Sequence, residues 1–262
     1  MPRNDPKMPK TMTLRDIHKV TQGFEGWVSC PEGILLWYFA RSGSGEGDIV
    51  EIGSWKGKST IWLACGSKSV RRERIVSVDP HTAGTYGEFL RNLKEVGIND
   101  WVIPVIGISQ ELAQRWARDV RLVYVDGSHE YEDVKEDFRL CFELLGDDGI
   151  IALHDSLFEH EGPTKVVELL LRNAFAIHVG FVGSITFCQK GKQSTFQQVR
   201  NTLLLLAFRL LRRSGIADLG RPRFSFWLSF LLNATDTKSI RTAFWTYWQA
   251  IKLGARFNRP DL

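Results

Sequence analysis

Between Ile49 and Asn173 the chain alternates short β-branched runs with stretches of helical apolar spacing. That alternation leaves few folds open. Strands that each lead into a helix run parallel and bury both faces, with helices packed on either side. Predicted strands are Ile49–Ile52, Ile75–Val78, Trp101–Ile106, Leu122–Val125 and Gly149–Leu153. Predicted helices are Ser59–Gly66, Gly87–Val96, Gln110–Arg118, Tyr131–Leu145 and Pro163–Asn173. Two further runs, Phe175–Gly180 and Ser184–Gln189, are separated by a few residues around Gly183, which predicts a hairpin and an antiparallel last strand. The expected fold is α/β: a doubly wound, mostly parallel seven-stranded sheet of Rossmann-like type, its last strand antiparallel, with a C-terminal helical extension.

The flanks read differently. Residues 1–20 are polar and basic, and loose order is expected there. Pro31–Ala40 predicts a helix and 41–48 a turn-rich connection. After Gly191 only helical patterns remain, Val199–Arg213 and Ser239–Arg256, joined through Gly220–Pro222 and the aromatic run Phe224–Leu232. The expected organisation is an N-terminal segment (1–24), a catalytic domain (25–190) and a basic aromatic extension (191–262). Charge follows this division: residues 1–189 carry a net −6 and residues 190–262 a net +10. A split of that kind implies different partners for the two parts. The extension is expected to pack on the domain or on a second copy as a homo-oligomer. Peripheral contact with an anionic membrane surface is the sharper alternative. Nucleic acid is disfavoured, because no recognised module or dense basic run is present. Cys30, Cys65, Cys141 and Cys188 form no C-x-x-C pair. They read as reduced core thiols, and with no signal-like stretch or long apolar run the expected location is cytoplasmic, with the inner face of a membrane as the peripheral option.

The most informative segment is Val50-Glu51-Ile52-Gly53-Ser54-Trp55-Lys56-Gly57-Lys58-Ser59-Thr60, where the first strand meets the first helix. Glycines there let the backbone turn sharply and approach a ligand that helix N–H groups face. A phosphate-binding P-loop requires four residues between its first glycine and Gly-Lys-Ser/Thr, whereas Gly53 and Gly57 enclose three. A dinucleotide fingerprint requires a glycine where Trp55 stands. What fits is acidic-x-Gly-x-x-x-Gly, from Glu51 through Gly57. Asp79 closes the second strand, Gly107-Ile108-Ser109-Gln110 follows the third, Asp126-Gly127-Ser128-His129 the fourth, and His154-Asp155-Ser156 the fifth.

With these motifs in this order, residues 25–190 resemble the class I S-adenosylmethionine-dependent methyltransferases. The narrower likeness is to the O-methyltransferase group that includes cephalosporin-hydroxylase-type and macrocin-type enzymes. The resemblance implies a cofactor cradle of Glu51, Gly53, Ser54, Gly57 and Ser59, with Asp79 accepting from the ribose hydroxyls. A carboxylate's two oxygens suit a vicinal diol. Ser109 and Gln110 resemble the Gly-x-Ser-Gln loop that approaches adenine in catechol O-methyltransferases; Ser109 also reads as a helix N-cap.

Asp126, His129, His154 and Asp155 all fall at the carboxyl ends of adjacent strands, where open α/β sheets bind ligands. A hydroxyl is a poor nucleophile until deprotonated or bound to a metal. Asp126 and Asp155 are the hard candidate ligands for Mg²⁺, and His154, standing where relatives often carry an acid, would favour Mn²⁺. His129 is the candidate general base, with Asp126 beside it as a catalytic candidate. The plainer readings are that Asp126 caps a helix and that His129 and His154 are structural partners of carboxylates. The expected function is metal-assisted O-methylation of a hydroxyl on a sugar or secondary metabolite, the acceptor being a small molecule or glycan. The alternatives are a membrane-associated or assembly module on a cofactor fold, and a nicotinamide-dependent oxidoreductase.

Overall fold

The computed structural model describes residues 12–158, 160–213 and 232–254. The Gly220–Pro222 connection, the aromatic run up to residue 231 and the helix end expected at Arg256 lie outside the described residues.

Two helices, α1 (Leu14–Thr21) and α2 (Cys30–Ser42), precede β1 (Asp48–Ile52). Then come α3 (Lys58–Ser69), β2 (Ile75–Asp79), α4 (Tyr86–Val96), β3 (Val102–Ile106), α5 (Ser109–Arg115), β4 (Val120–Val125), α6 (Tyr131–Leu144), β5 (Leu145–Leu153) and α7 (Glu161–Arg172). The hairpin is β6 (Ala176–Val182) and β7 (Ile185–Lys190), followed by α8 (Thr195–Arg213) and α9 (Thr237–Lys252). The seven strands form one sheet in the order β3-β2-β1-β4-β5-β7-β6. Pairings from β3 across to β5 are parallel; β7 is antiparallel to both neighbours and is inserted between β5 and the edge strand β6. Strand order reverses between β1 and β4, and the crevice above that switch point is where such sheets take ligands.

The expected architecture is present, with local differences. Within the polar, basic residues 1–20, expected to be loose at their start, a helix begins at Leu14, because Thr13 and Asp16 form a reciprocal capping box. The third-strand helix stops at Arg115 rather than at residue 118, where Trp116 turns extended. Each sheet face carries its own core. On one face Leu35, Phe39, Ile61, Trp62, Phe89 and Tyr247 join α2, α3, α4 and α9. On the other Phe138, Cys141, Val167, Leu170 and Phe208 join α6, α7 and α8.

Side chains of α8 and α9, with Asn233 just before α9, cover the open edge of β6. The Asn233 amide pairs with Phe181 as a strand would, donating to its carbonyl (2.7 Å) and accepting from its N–H (3.0 Å). Arg200 donates to the Val179 carbonyl, Asn201 to that of Ala176, and Ser239 to those of His178 and Val179. Edge carbonyls that would otherwise invite another chain are thereby occupied.

Candidate functional site

The chain leaves β1 through Gly53 and enters α3 after Gly57, both in the left-handed region (φ 83° and 87°). Gly53 tolerates no side chain: a Cβ there would lie 2.0 Å from the carbonyl oxygen of Asp126. The β1 and β4 loops are therefore in backbone contact across the switch point. Asp79 braces the turn. Its Oδ2 accepts from the N–H groups of Ser54 and Trp55, both at 2.8 Å, and its Oδ1 from that of His81 at 2.6 Å. Trp55 packs against Trp27 with centroids 4.6 Å apart and planes tilted by 33°, so the segment before α2 closes over the loop. The hydroxyl of Ser54 is buried without a hydrogen-bond partner, and Ser59 is buried in the first turn of α3.

Glu51 lies beneath this loop, fully buried, accepting from Thr60 (2.5 Å) and Ser77 (3.0 Å). Burial raises its carboxyl to about 7 against those hydrogen bonds. Beyond β3, Ser109 is the first residue of α5, with Ile108 at the cap position, and its hydroxyl donates to Asp137 of α6 and lies 3.1 Å from the Gln110 amide oxygen. The N-cap reading of Ser109 is therefore replaced by a tie to α6. Asp137 is raised by burial.

At the ends of β4 and β5, His154 is buried with its Nδ1 3.0 Å from Asp126 Oδ1 and 3.4 Å from Asp155 Oδ1. Its Nε2 faces Glu32 Oε2 at 3.8 Å, beyond hydrogen-bonding range. Burial alone would lower the imidazole; Asp126, Asp155 and Glu32 outweigh it and hold His154 well above the ordinary histidine value. It sits among three carboxylates, and a metal ion would bind its ring in the deprotonated form. Tyr124 donates to the other oxygen of Asp126 at 3.0 Å, so the Asp126 side chain is held by β4 and β5 together and does not serve as a simple helix cap. His129 Nε2 lies 3.3 Å from Asp155 Oδ2. His129 is near half exposed and faces the open rim.

The structure thus gathers Asp126, His129, His154 and Asp155 into one cluster, one loop away from Gly53 and Asp79. It also adds Glu32. Glu32 accepts from the Ser29 N–H at the start of its own helix and from both the N–H and hydroxyl of Ser184 in the β6–β7 turn. Burial would raise it, but the His154 charge and these donors hold it at about 2. A Ser-x-x-Glu capping box at Ser29 marks the helix start in the sequence. The link to Ser184, 152 residues away, has no local signal.

Residues 50–156 match a family model described as a methyltransferase domain. Among solved structures, the O-methyltransferase TomG from Streptomyces achromogenes, in complex with SAM, is 20% identical, with 71% of this chain and 91% of that one covered at a TM-score of 0.53. An O-methyltransferase from Bacillus cereus in complex with SAH is 19% identical, covering 70% and 93% at 0.51. The SAH-bound methyltransferase PaMTH1 from Podospora anserina is 16% identical, covering 73% and 91% at 0.54. At these identities the structures speak for the fold, and the family match speaks for the kind of domain. Through residues 50–156 the chain is similar to methyltransferase domains, and its fold is that of the SAM- and SAH-bound structures.

Proposed function

We propose that this protein transfers the methyl group of S-adenosylmethionine to a hydroxyl oxygen of a small-molecule or glycan acceptor. The observation that carries this reading is the backbone contact of Gly53 with Asp126, which sets a glycine loop and a cluster of titratable side chains on one rim. The loop fits the cofactor. It offers close backbone approach at Gly53 and Gly57, a buried unpartnered hydroxyl on Ser54, and the first turn of α3 with Ser59. A carboxylate has about four lone-pair sites. Asp79 uses three on backbone donors, leaving one for a ribose hydroxyl. Gln110 at the start of α5 is the proposed neighbour of the adenine, Ser109 holding that helix to α6.

When bound, S-adenosylmethionine would supply an electrophilic sulfonium methyl group, with S-adenosylhomocysteine as the leaving product. The acceptor hydroxyl must lose its proton, and His129, oriented by Asp155, is the proposed base. Asp126, held by Tyr124 and His154, faces the same rim and is the second proposed catalytic group. For a divalent ion the donors Asp126, His154 and Asp155 converge within coordination distance of one another, so the residues fit Mg²⁺ or Mn²⁺. Such an ion would lower the pKa of a bound hydroxyl.

One lesser reading concerns the extension. We infer self-association through α8, whose Phe196, Val199, Leu203, Leu206 and Leu210 are all more than half exposed at alternating spacings of three and four. No described helix is long and apolar enough to cross a membrane.

Isothermal titration with S-adenosylhomocysteine tests the cofactor reading. Binding in the micromolar range is expected, weakened about tenfold or more in D79A if one charge-assisted hydrogen bond to ribose is lost. No heat and no thermal shift would sink it. Turnover that stops in chelator and returns with Mg²⁺ or Mn²⁺ is expected for metal assistance; undiminished turnover in chelator rejects that part alone.

A further inference from the structure

His129 and His160 belong to different segments, one in the loop after β4 and one at the N-cap of α7. Their rings nonetheless stack with centroids 3.8 Å apart and planes at 16°. Both Nε2 atoms turn to the same oxygen, Asp155 Oδ2, at 3.3 Å for His129 and 3.7 Å for His160. The two segments are locked together: a Cβ at Gly162 would fall 2.1 Å from the His129 carbonyl oxygen. Asp155 is itself in the left-handed region (φ 49°), an uncommon conformation for a residue other than glycine that is retained where the surroundings enforce it. Its side chain is 10% exposed while the imidazoles are 45% and 44% exposed, so the cluster has a fixed carboxylate floor and an open outer side.

The distances are informative. They are too long for good N–H···O bonds, which run about 2.7–3.2 Å. They match neighbouring ligand atoms around one ion: with metal–ligand bonds of about 2.0–2.1 Å, tetrahedral donors stand about 3.4 Å apart. Two parallel imidazolium rings at this separation would repel each other, whereas two neutral rings each offer a lone pair to a shared cation. We propose that His129, His160 and Asp155 bind a divalent ion of the Zn²⁺, Co²⁺ or Ni²⁺ kind. Two imidazoles and one carboxylate suit such borderline ions and not Mg²⁺, which prefers oxygen. This site is separate from the Asp126–His154–Asp155 group, since it uses Oδ2 of Asp155 while His154 faces Oδ1. One consequence rests on the methyl-transfer reading: coordination occupies the His129 lone pair and withdraws the base, so the ion inhibits turnover.

The test is titration of the chelator-treated full-length protein with Co²⁺, read by visible absorption, alongside calorimetry with Zn²⁺. A saturable d–d spectrum is expected, with affinity lost by about tenfold or more in H160A and H129A and retained in D126N. His160 is a half-exposed side chain, so H160A is expected to keep the wild-type circular dichroism. Unchanged binding in H160A, or loss in D126N with retention in H160A, overturns the assignment. Co²⁺ binding as described without inhibition of methyl transfer leaves the metal site standing and removes His129 as the base.

Discussion

Glu51 is sealed under the glycine loop with a carboxyl near neutrality, and this has a measurable consequence. Its value of about 7 in the folded chain lies above the ordinary 4.5, so the native state binds that proton more tightly than the unfolded state. The contribution is fully present below pH 4.5 and is lost as pH rises through 7, an effect of at most about 3 kcal/mol. Melting curves of wild type and E51Q from pH 4.5 to 8 are expected to differ in slope, the wild type losing stability relative to the glutamine variant as pH rises. Parallel curves would show that the carboxyl titrates normally. At this scale the sequence was readable where chemistry is local. Gly53, Asp79 and Asp126 sit at strand ends that periodicity alone locates. The short contacts of Glu32 with Ser184, and of His129 with His160, arise between segments that meet only after the sheet forms.

Among the elements, β6 shows why a polar, irregular stretch is needed beside a strand. A bulge between Ile177 and Gly180, with His178 left-handed, breaks the pairing to β7. Past the bulge, Asn233 makes two hydrogen bonds to the backbone of Phe181 on the outer edge. Removing a buried amide that satisfies two backbone groups costs about 2–4 kcal/mol. N233A is therefore expected to lower the melting temperature by several degrees, measured by scanning calorimetry, while N233D, which keeps an acceptor but loses the donor, falls between. An N233A protein as stable as wild type would mean that the edge is closed by other means. Periodicity revealed α8 and α9 but not their task, because hydrogen bonds from Arg200, Asn201 and Ser239 to a strand edge leave no period in the sequence. Strand boundaries came close because β-branched runs are short and glycine-bounded. α1 was missed because it is only eight residues long, so its apolar side, with Leu14 and the buried Ile17, spans about two turns.

At the scale of the whole molecule, α8 presents two faces. Leu204 and Phe208 enter the core, while Leu203 and Leu206 are 61% and 52% exposed on the adjoining stripe. A repeat alternating three and four residues is the spacing at which helices pair along a seam. The double variant L203E/L206E is expected to shift the protein to monomer in analytical ultracentrifugation without changing its circular dichroism. An unaltered sedimentation profile would count against pairing through this helix.

The family match begins at residue 50, yet the carboxylate that steadies the β6–β7 turn and faces the His154 ring comes from residue 32, upstream of it. The matched segment is consequently not self-sufficient. A chain trimmed to residues 50–156 would lose both the Glu32 counter-charge that faces the His154 imidazole and the β6–β7 turn that Glu32 holds. In any graft of this chemistry onto another sequence, the helix bearing Glu32 has to travel with the strands.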